Sequence, residues 1–123
     1  MKPLFAYASF CLALSIALGA MGAHALEPRI SAHYLDVWKT AGTYFAYQAL
    51  ALMAASSLGR ANAWIKTSIV GSWIFSGSLW VLALNEWLSP SLKMLGAITP
   101  IGGVLMIVGW AGLGWKLWRE KDS

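Results

Sequence analysis

The sequence has 123 residues, of which 59% are hydrophobic and 11% are charged, and its formal net charge is +4. An ordinary soluble domain carries about 25% charged residues, so this composition indicates an integral membrane protein and excludes a typical nucleic-acid-binding domain, in which basic residues cluster on one face. Cys11 is the single cysteine, which excludes an intrachain disulfide, a CxxC redox pair and a thiolate metal site.

Four apolar stretches are long enough to cross a bilayer as helices. A span needs about 20 mostly apolar residues, because the hydrocarbon core is about 30 Å thick and a helix rises about 1.5 Å per residue. The predicted spans cover residues 4–23, 40–58, 65–84 and 95–117 of a single domain that occupies residues 1–123. Inside lipid every backbone polar group must find an internal partner, which favours helices over strands. The predicted fold class is therefore all-α, an integral membrane bundle of four transmembrane helices.

The first span allows two interpretations. Lys2, the apolar run that follows it and the Ala23-His24-Ala25 triplet are also typical of a secretory signal peptide, whose cleavage would remove residues 1–25. However, the apolar run reaches about 20 residues, which is longer than the roughly 7–15 of a signal peptide. Gly19 and Gly22 also suit helix packing. We therefore expect a retained span, with cleavage as the alternative.

The connections between the spans predict an up-down-up-down arrangement. Short connections make neighbouring helices antiparallel, and turn-forming residues indicate short connections after the second and third spans. These residues are Gly59, Arg60, Asn62, Asn85, Glu86, Ser89, Pro90 and Ser91. The first connection, residues 26–38, is longer, and Ile30, Tyr34 and Trp38 recur in it at helical spacing. We expect part of it to form an interfacial helix.

The distribution of basic residues predicts the orientation, because Lys and Arg near span ends are retained in the cytoplasm. Six of them fall on the side of the two termini: Lys2, Arg60, Lys66, Lys116, Arg119 and Lys121. The opposite side carries three: Arg29, Lys39 and Lys93. We expect a bacterial inner-membrane protein with both termini in the cytoplasm. Six tryptophans near span ends agree with the spans, since indoles prefer the headgroup level; they are Trp38, Trp64, Trp80, Trp87, Trp115 and Trp118.

Small residues and one proline mark the predicted helix contacts. Lipid-embedded helices gain little from the hydrophobic effect, so close backbone approach at small residues must supply much of their packing. Pro100 frees the carbonyl of Gly96 and predicts a kink, and Thr99 or a neighbouring helix can satisfy that carbonyl. The predicted packing and kink residues are Gly19, Gly22, Gly77, Pro100, Gly102 and Gly103, and further contact faces are expected at Ser68, Ser72, Ser76, Gly109 and Gly112.

Polar residues within the spans predict a pocket that opens toward the periplasm. If both termini are inside, the late residues of spans one and three and the early residues of spans two and four lie in the outer half of the membrane. Polar groups there should face the interior, because an amide such as that of Gln48 leaves its hydrogen-bonding positions unmet in lipid. The candidate pocket residues are His24, Tyr44, Gln48, Ser76, Ser78 and Thr99. At Gln48 a structural hydrogen bond is favoured over a ligand contact.

Cofactor chemistry has little support in the sequence. His24 lies near Glu27, His33 and Asp36, but their spacing matches no zinc signature, so a capping or interhelical hydrogen bond is the expected role of His24. A haem held between helices would need opposed histidines inside the spans, and His33 lies in a connection. We expect no catalytic, metal-binding or cofactor-binding residues and no cofactor.

Short motifs along the chain carry a family resemblance. They are Gly19-Ala20-Met21-Gly22-Ala23-His24, Trp38-Lys39-Thr40-Ala41 with Tyr44, Ala49-Leu50-Ala51-Leu52, Phe75-Ser76-Gly77-Ser78-Leu79 and Thr99-Pro100-Ile101-Gly102-Gly103. Taken in order, they resemble the small four-helix inner-membrane proteins grouped as domain of unknown function 423, a family without an established activity. The resemblance covers nearly the whole chain and implies the same fold and location. Where that family usually has a histidine, just before the Ala-Leu-Ala-Leu stretch, this chain has Gln48, so any chemistry of that histidine would be lost here.

These observations predict a non-enzymatic accessory subunit or assembly factor of a larger membrane complex. The residues present assemble no recognisable catalytic set, and the small-residue faces offer surfaces for lipid, partner helices or self-association. The alternative is a small-solute transporter or channel that works as an oligomer. Proton-coupled antiport is disfavoured, because Glu27, Asp36 and Glu86 lie in connections and no acidic residue lies inside a span. A membrane enzyme using His24 with Tyr44 and Gln48 is a third and weaker hypothesis.

Overall fold

Helices make up nearly all of the described part of the chain. In the computed structural model it comprises residues 2–59, 62–84 and 94–120. The helices are α1 (Lys2–Met21), α2 (Ala32–Ser57), α3 (Ala63–Ala83) and α4 (Leu95–Glu120), and a π-helical turn, Gly22–Leu26, continues α1. This confirms the all-helical class.

Three helical segments are long and apolar enough to cross a membrane. They are Lys2–Leu26, Ala63–Ala83 and Leu95–Glu120. Helix α2 has 26 residues and is long enough, but polar side chains such as Tyr44 and Gln48 lower its mean hydropathy. A membrane-embedded helical fold is therefore supported by three segments, and the four-span up-down-up-down arrangement stays a prediction.

Capping residues set the helix ends. Ser31 precedes α2, and its hydroxyl accepts a hydrogen bond from the Tyr34 backbone N–H at 3.3 Å. Part of the first connection is therefore helical, as the first turns of a continuous α2, and its interfacial position stays a prediction. Asn62 caps α3, because its side-chain oxygen accepts from the Trp64 and Ile65 N–H groups at 3.0 and 3.2 Å. Gly59 follows α2 with a φ of 71°, a left-handed conformation that favours glycine.

Several sequence predictions fall outside the described residues. They concern the turn residues Arg60, Asn85, Glu86, Ser89, Pro90 and Ser91, the interfacial Trp87, and the basic residues Lys93 and Lys121.

Sequential helices pack against one another in antiparallel pairs. The Trp38 indole meets the end of α1, whereas Gly42 lies near Ser15, one turn earlier on α1. Between α3 and α4 the contacts likewise run in opposite directions, from Ser78 with Thr99 at one end to Trp64 with Gly112 at the other. The α3–α4 interface is the most extensive of the bundle.

Two hydrophobic clusters fill the interior. One contains residues from all four helices, including Ala8, Leu52, Ile65 and Leu113. The other lies toward the opposite end and is built from α1, α2, α3 and the α1–α2 connection, with Trp38, Phe45 and Trp80 among its members. Helix α4 contributes no buried residue to this second cluster among the described residues. There α4 packs on α3.

Trp38 fastens α1 to α2. Its indole N–H donates to the Leu18 carbonyl at 2.7 Å, and its ring lies over Gly22, where a Cβ atom would come within 2.6 Å of it. The side chain is only 3% exposed, and Trp80 beside it is also buried. Both indoles are packed between helices, and their predicted depth at the headgroup level stays a prediction.

Glycine and serine residues bring α3 and α4 into backbone contact. A Cβ atom at Gly71 would lie 2.6 Å from the Met106 backbone nitrogen, and one at Gly109 would lie 2.6 Å from that of Ser68. Gly102 sits against the backbone of Phe75. Such close approach is how small residues hold lipid-embedded helices together.

Candidate functional site

An open groove runs between α2 and α4, with α3 as its floor. It has a volume of about 410 Å³ and is lined by Tyr44, Phe75, Gly103, Met106, Ile107 and Trp110. We call it the α2–α4 groove. The groove exists because α4 packs on α3 and stands apart from the N-terminal half of α2.

The residue types of the groove explain its shape. The Tyr44 and Phe75 rings meet edge to face with centroids 5.4 Å apart, which fixes both aromatic side chains. At Gly103 a Cβ atom would lie 3.4 Å from the Phe75 ring, so the missing side chain leaves space beside that ring. Ile107 is 69% exposed and Tyr44 is 45% exposed. The groove therefore presents an apolar, partly aromatic surface to whatever surrounds the bundle.

A buried hydrogen-bond network lies beside the groove. The Trp110 indole N–H donates to the side-chain oxygen of Gln48 at 2.7 Å, and the Gln48 amide donates to the Ser68 hydroxyl at 2.9 Å. Ser68 in turn donates to the Ile65 carbonyl at 2.7 Å. Gln48 is only 4% exposed. The network thus ties α2, α3 and α4 together through one side chain, as expected for a polar group within a membrane bundle.

Two further polar contacts lie nearer the Trp38 end of the bundle. The hydroxyls of Ser78 and Thr99 are 2.6 Å apart and join α3 to α4. Ser76 donates to the Ala41 carbonyl at 2.8 Å and joins α3 to α2. All three hydroxyl side chains are buried.

The six candidate pocket residues thus belong to separate local arrangements. Tyr44 lines the groove, Gln48 belongs to the buried network, and Ser78 pairs with Thr99. Ser76 bonds to α2, and His24 is exposed in the π-helical turn after α1. A single polar pocket open to the periplasm stays a prediction.

The predicted packing residues are placed as follows. Gly22, Gly102 and Gly103 lie against Trp38, the Phe75 backbone and the Phe75 ring, whereas Cβ atoms at Gly19 and Gly77 would have no neighbour within 4 Å.

Pro100 lies inside α4, near its N-terminal end, and is exposed. The Thr99 hydroxyl donates to the Leu95 carbonyl at 3.0 Å. Its acceptor is therefore the carbonyl one residue before that of Gly96. The kink stays a prediction.

Trp110 is the site residue that sequence reasoning missed. A signal was available, because an indole N–H in the middle of a predicted span needs an acceptor within the bundle, and Gln48 is the mid-span side chain able to supply one. Gly71 was also missed, although it lies between Ser68 and Ser72 on α3.

These groups offer surfaces for binding and packing. Within the ranges that the structure describes, His, Cys, Asp and Glu side chains do not gather in groups of three or more that could hold a metal ion. The groove offers apolar contact and aromatic faces. The polar side chains beside it already satisfy one another.

Similar proteins occur in staphylococci. A family model described as "Protein of unknown function (DUF423)" matches residues 18–103. A UPF0382 membrane protein of Staphylococcus saprophyticus is 43% identical over 107 residues, covering 79% of this chain and 81% of that protein. One of Staphylococcus haemolyticus is 38% identical over 120 residues, covering 89% of this chain and 90% of that protein. No solved structure gave a significant match. The matched range includes Tyr44, Phe75 and Gly103 of the groove, whereas Trp110 lies beyond it.

Proposed function

Given that the chain belongs to the DUF423 family of membrane proteins of unknown function, we propose that it is a non-enzymatic accessory subunit or assembly factor that packs against a larger membrane protein. Its membership confirms the resemblance read from the sequence motifs. The observation that carries the proposal is the open α2–α4 groove beside a buried network in which Gln48, Ser68 and Trp110 are paired with each other.

The groove supports a packing role because its surface suits a helix from another protein. It is concave and apolar, and Gly103 removes the side chain that would fill it. Helices in lipid associate through shape and close contact at small residues, which a concave groove offers to a convex helix surface. The partner is therefore a transmembrane helix with an apolar face.

The pairing of the buried polar groups around Gln48 and at Ser78 disfavours transport. A solute path through a bundle needs polar groups that are free to exchange partners with the solute. Here Gln48, Ser68 and Trp110 satisfy one another, and Ser78 pairs with Thr99. We therefore favour the accessory role over the small-solute transporter or channel.

Photo-crosslinking tests the accessory role. A photoreactive amino acid at Ile107, which lines the groove and is 69% exposed, is expected to capture one discrete protein in native membranes. The same amino acid at Phe10, which is 77% exposed on α1, serves as the matched control and should capture lipid. Lipid adducts alone at both positions, or an adduct that contains two copies of this chain, would contradict an accessory role.

We further propose that all four helices span the inner membrane in up-down-up-down order with both ends in the cytoplasm. The antiparallel pairing of sequential helices and the excess of basic residues near the two ends support this topology. Reporter fusions after Glu120 and after Gly59 should both give cytoplasmic signals, and a fusion after Ile30 should give a periplasmic one. The same signal after Ile30 and after Gly59, either periplasmic or cytoplasmic at both, would exclude α2 as a span, because α2 is the helix between those two positions.

A further inference from the structure

A second cavity lies at the opposite end of the bundle from Trp38, where α3 begins and α4 ends. Its volume is about 430 Å³, and it is lined by Trp64, Gly112, Trp115, Lys116, Arg119 and Glu120. We call it the basic pocket. It shares none of its lining residues with the α2–α4 groove.

Glycine at position 112 shapes the basic pocket. A Cβ atom there would collide with the six-membered ring of the Trp64 indole, so the ring lies directly against the α4 backbone. Lys116 and Arg119 follow Gly112 at i+4 and i+7 on α4 and therefore share its face. The two cations are thus held one turn apart, beside an indole that packs against the same helix.

The composition of this pocket fits a phosphate group at the membrane surface. Indoles prefer the headgroup level, and basic pockets between transmembrane helices bind anionic lipid headgroups. Arg offers a planar fork of donors to phosphate, while Lys adds a flexible point charge. Glu120 also lines the pocket, but the two cations outnumber it.

We propose that the basic pocket binds the phosphate of an anionic phospholipid headgroup, with Lys116 and Arg119 as the charged contacts and Trp64 and Trp115 as the flanking indoles. The bound lipid would lie at the surface on the side of the chain termini. This site is independent of the proposed accessory role, because it uses other residues at the other end of the bundle.

Lipid-binding measurements on the purified full-length protein test this site. Native mass spectrometry in mild detergent is expected to show phosphatidylglycerol retained over phosphatidylcholine of the same acyl chains. In the double variant Lys116→Gln/Arg119→Gln the ratio of retained phosphatidylglycerol to phosphatidylcholine should fall about tenfold, since each basic residue near an anionic headgroup adds to the attraction. The matched control Lys2→Gln/Lys66→Gln removes the same charge from exposed positions outside the pocket and should change the preference by less than about twofold.

Three further results separate a built site from general attraction. The swap variant Lys116→Arg/Arg119→Lys keeps both charges and should keep the preference, which also shows that the pocket tolerates substitution without unfolding. Inorganic phosphate at millimolar concentration should leave the lipid bound; its displacement by phosphate would assign the site to a free anion and overturn the lipid proposal. Equal losses in the pocket and control double variants would overturn it as well.

Discussion

The variant Gly102→Ala is expected to lower the free energy of unfolding by about 1–3 kcal/mol, the usual cost of forcing extra atoms into a packed contact. A Cβ atom at this position would lie 2.8 Å from the Gly71 carbonyl oxygen and would collide with the Phe75 backbone. Neither contact involves a flexible side chain that can move aside, so α3 and α4 must separate. Thermal or denaturant unfolding in detergent micelles, followed by circular dichroism, measures the loss.

Gly77→Ala on α3 and Gly96→Ala on α4 are the matched controls for this variant. At both positions a Cβ atom would have no neighbour within 4 Å, and alanine is the better helix former. Both controls should therefore be as stable as the wild type or more so. If Gly102→Ala matched them in stability, the backbone contact between α3 and α4 would not be what holds these helices together.

Replacing Gln48 with leucine is expected to lower the free energy of unfolding by about 1–2 kcal/mol, the upper range for a hydrogen-bonded polar group within a membrane bundle. The change leaves the Trp110 indole N–H without its acceptor and removes the donor to Ser68. Ser57→Ala is the control, because that exposed hydroxyl bonds only within its own turn of α2 among the described residues. The same unfolding measurement applies.

Two companion variants show whether the effect belongs to the network. Gln48→His is expected to retain most of the stability, since a neutral imidazole can accept from Trp110 and donate to Ser68. Combining Gln48→Leu with Trp110→Phe should cost less than the sum of the two single changes, because each alone already breaks the same hydrogen bond. Strict additivity in that pair would show that the two side chains do not act together.

The expected stability of Gln48→His bears on the difference at position 48, where this chain has glutamine and the resemblance implies a histidine. If imidazole fits the same place, the histidine that the family usually carries there has a structural role that Gln48 fulfils equally well. A chemical function would then not be lost in this chain. If Gln48→His were as unstable as Gln48→Leu, a shared structural role of histidine and Gln48 would be excluded.

Family and helical class followed from the sequence because both depend on composition and short motifs. Apolar stretches of span length predict helices whatever their partners are, and the order of motifs from Gly19 to Gly103 identified the family. The beginning of helix α2 did not follow from the predicted span, because an uncharged stretch marks only the part that can lie in lipid. The Ser31 cap begins the helix at Ala32.

The groove and the partners within the bundle could not be derived from the sequence. Small residues were visible on both α3 and α4, but which of them meet depends on how each helix is rotated about its axis. Gly71 was therefore not among the predicted contact residues, although its backbone contacts are among the closest in the bundle. The groove arises from where α4 stands relative to α2, a three-dimensional relation with no local signature in either helix.

The network around Gln48 imposes an order on biosynthesis. Its partners, Ser68 and Trp110, follow it by 20 and 62 residues in the chain, so they leave the ribosome after α2 has emerged. Until then the nascent chain carries an unpaired amide in its least apolar helix. In the proposed four-span topology, stable residence of α2 in the bilayer therefore depends on segments that are translated later, and the amide gains its full set of partners only when synthesis of α4 is nearly complete.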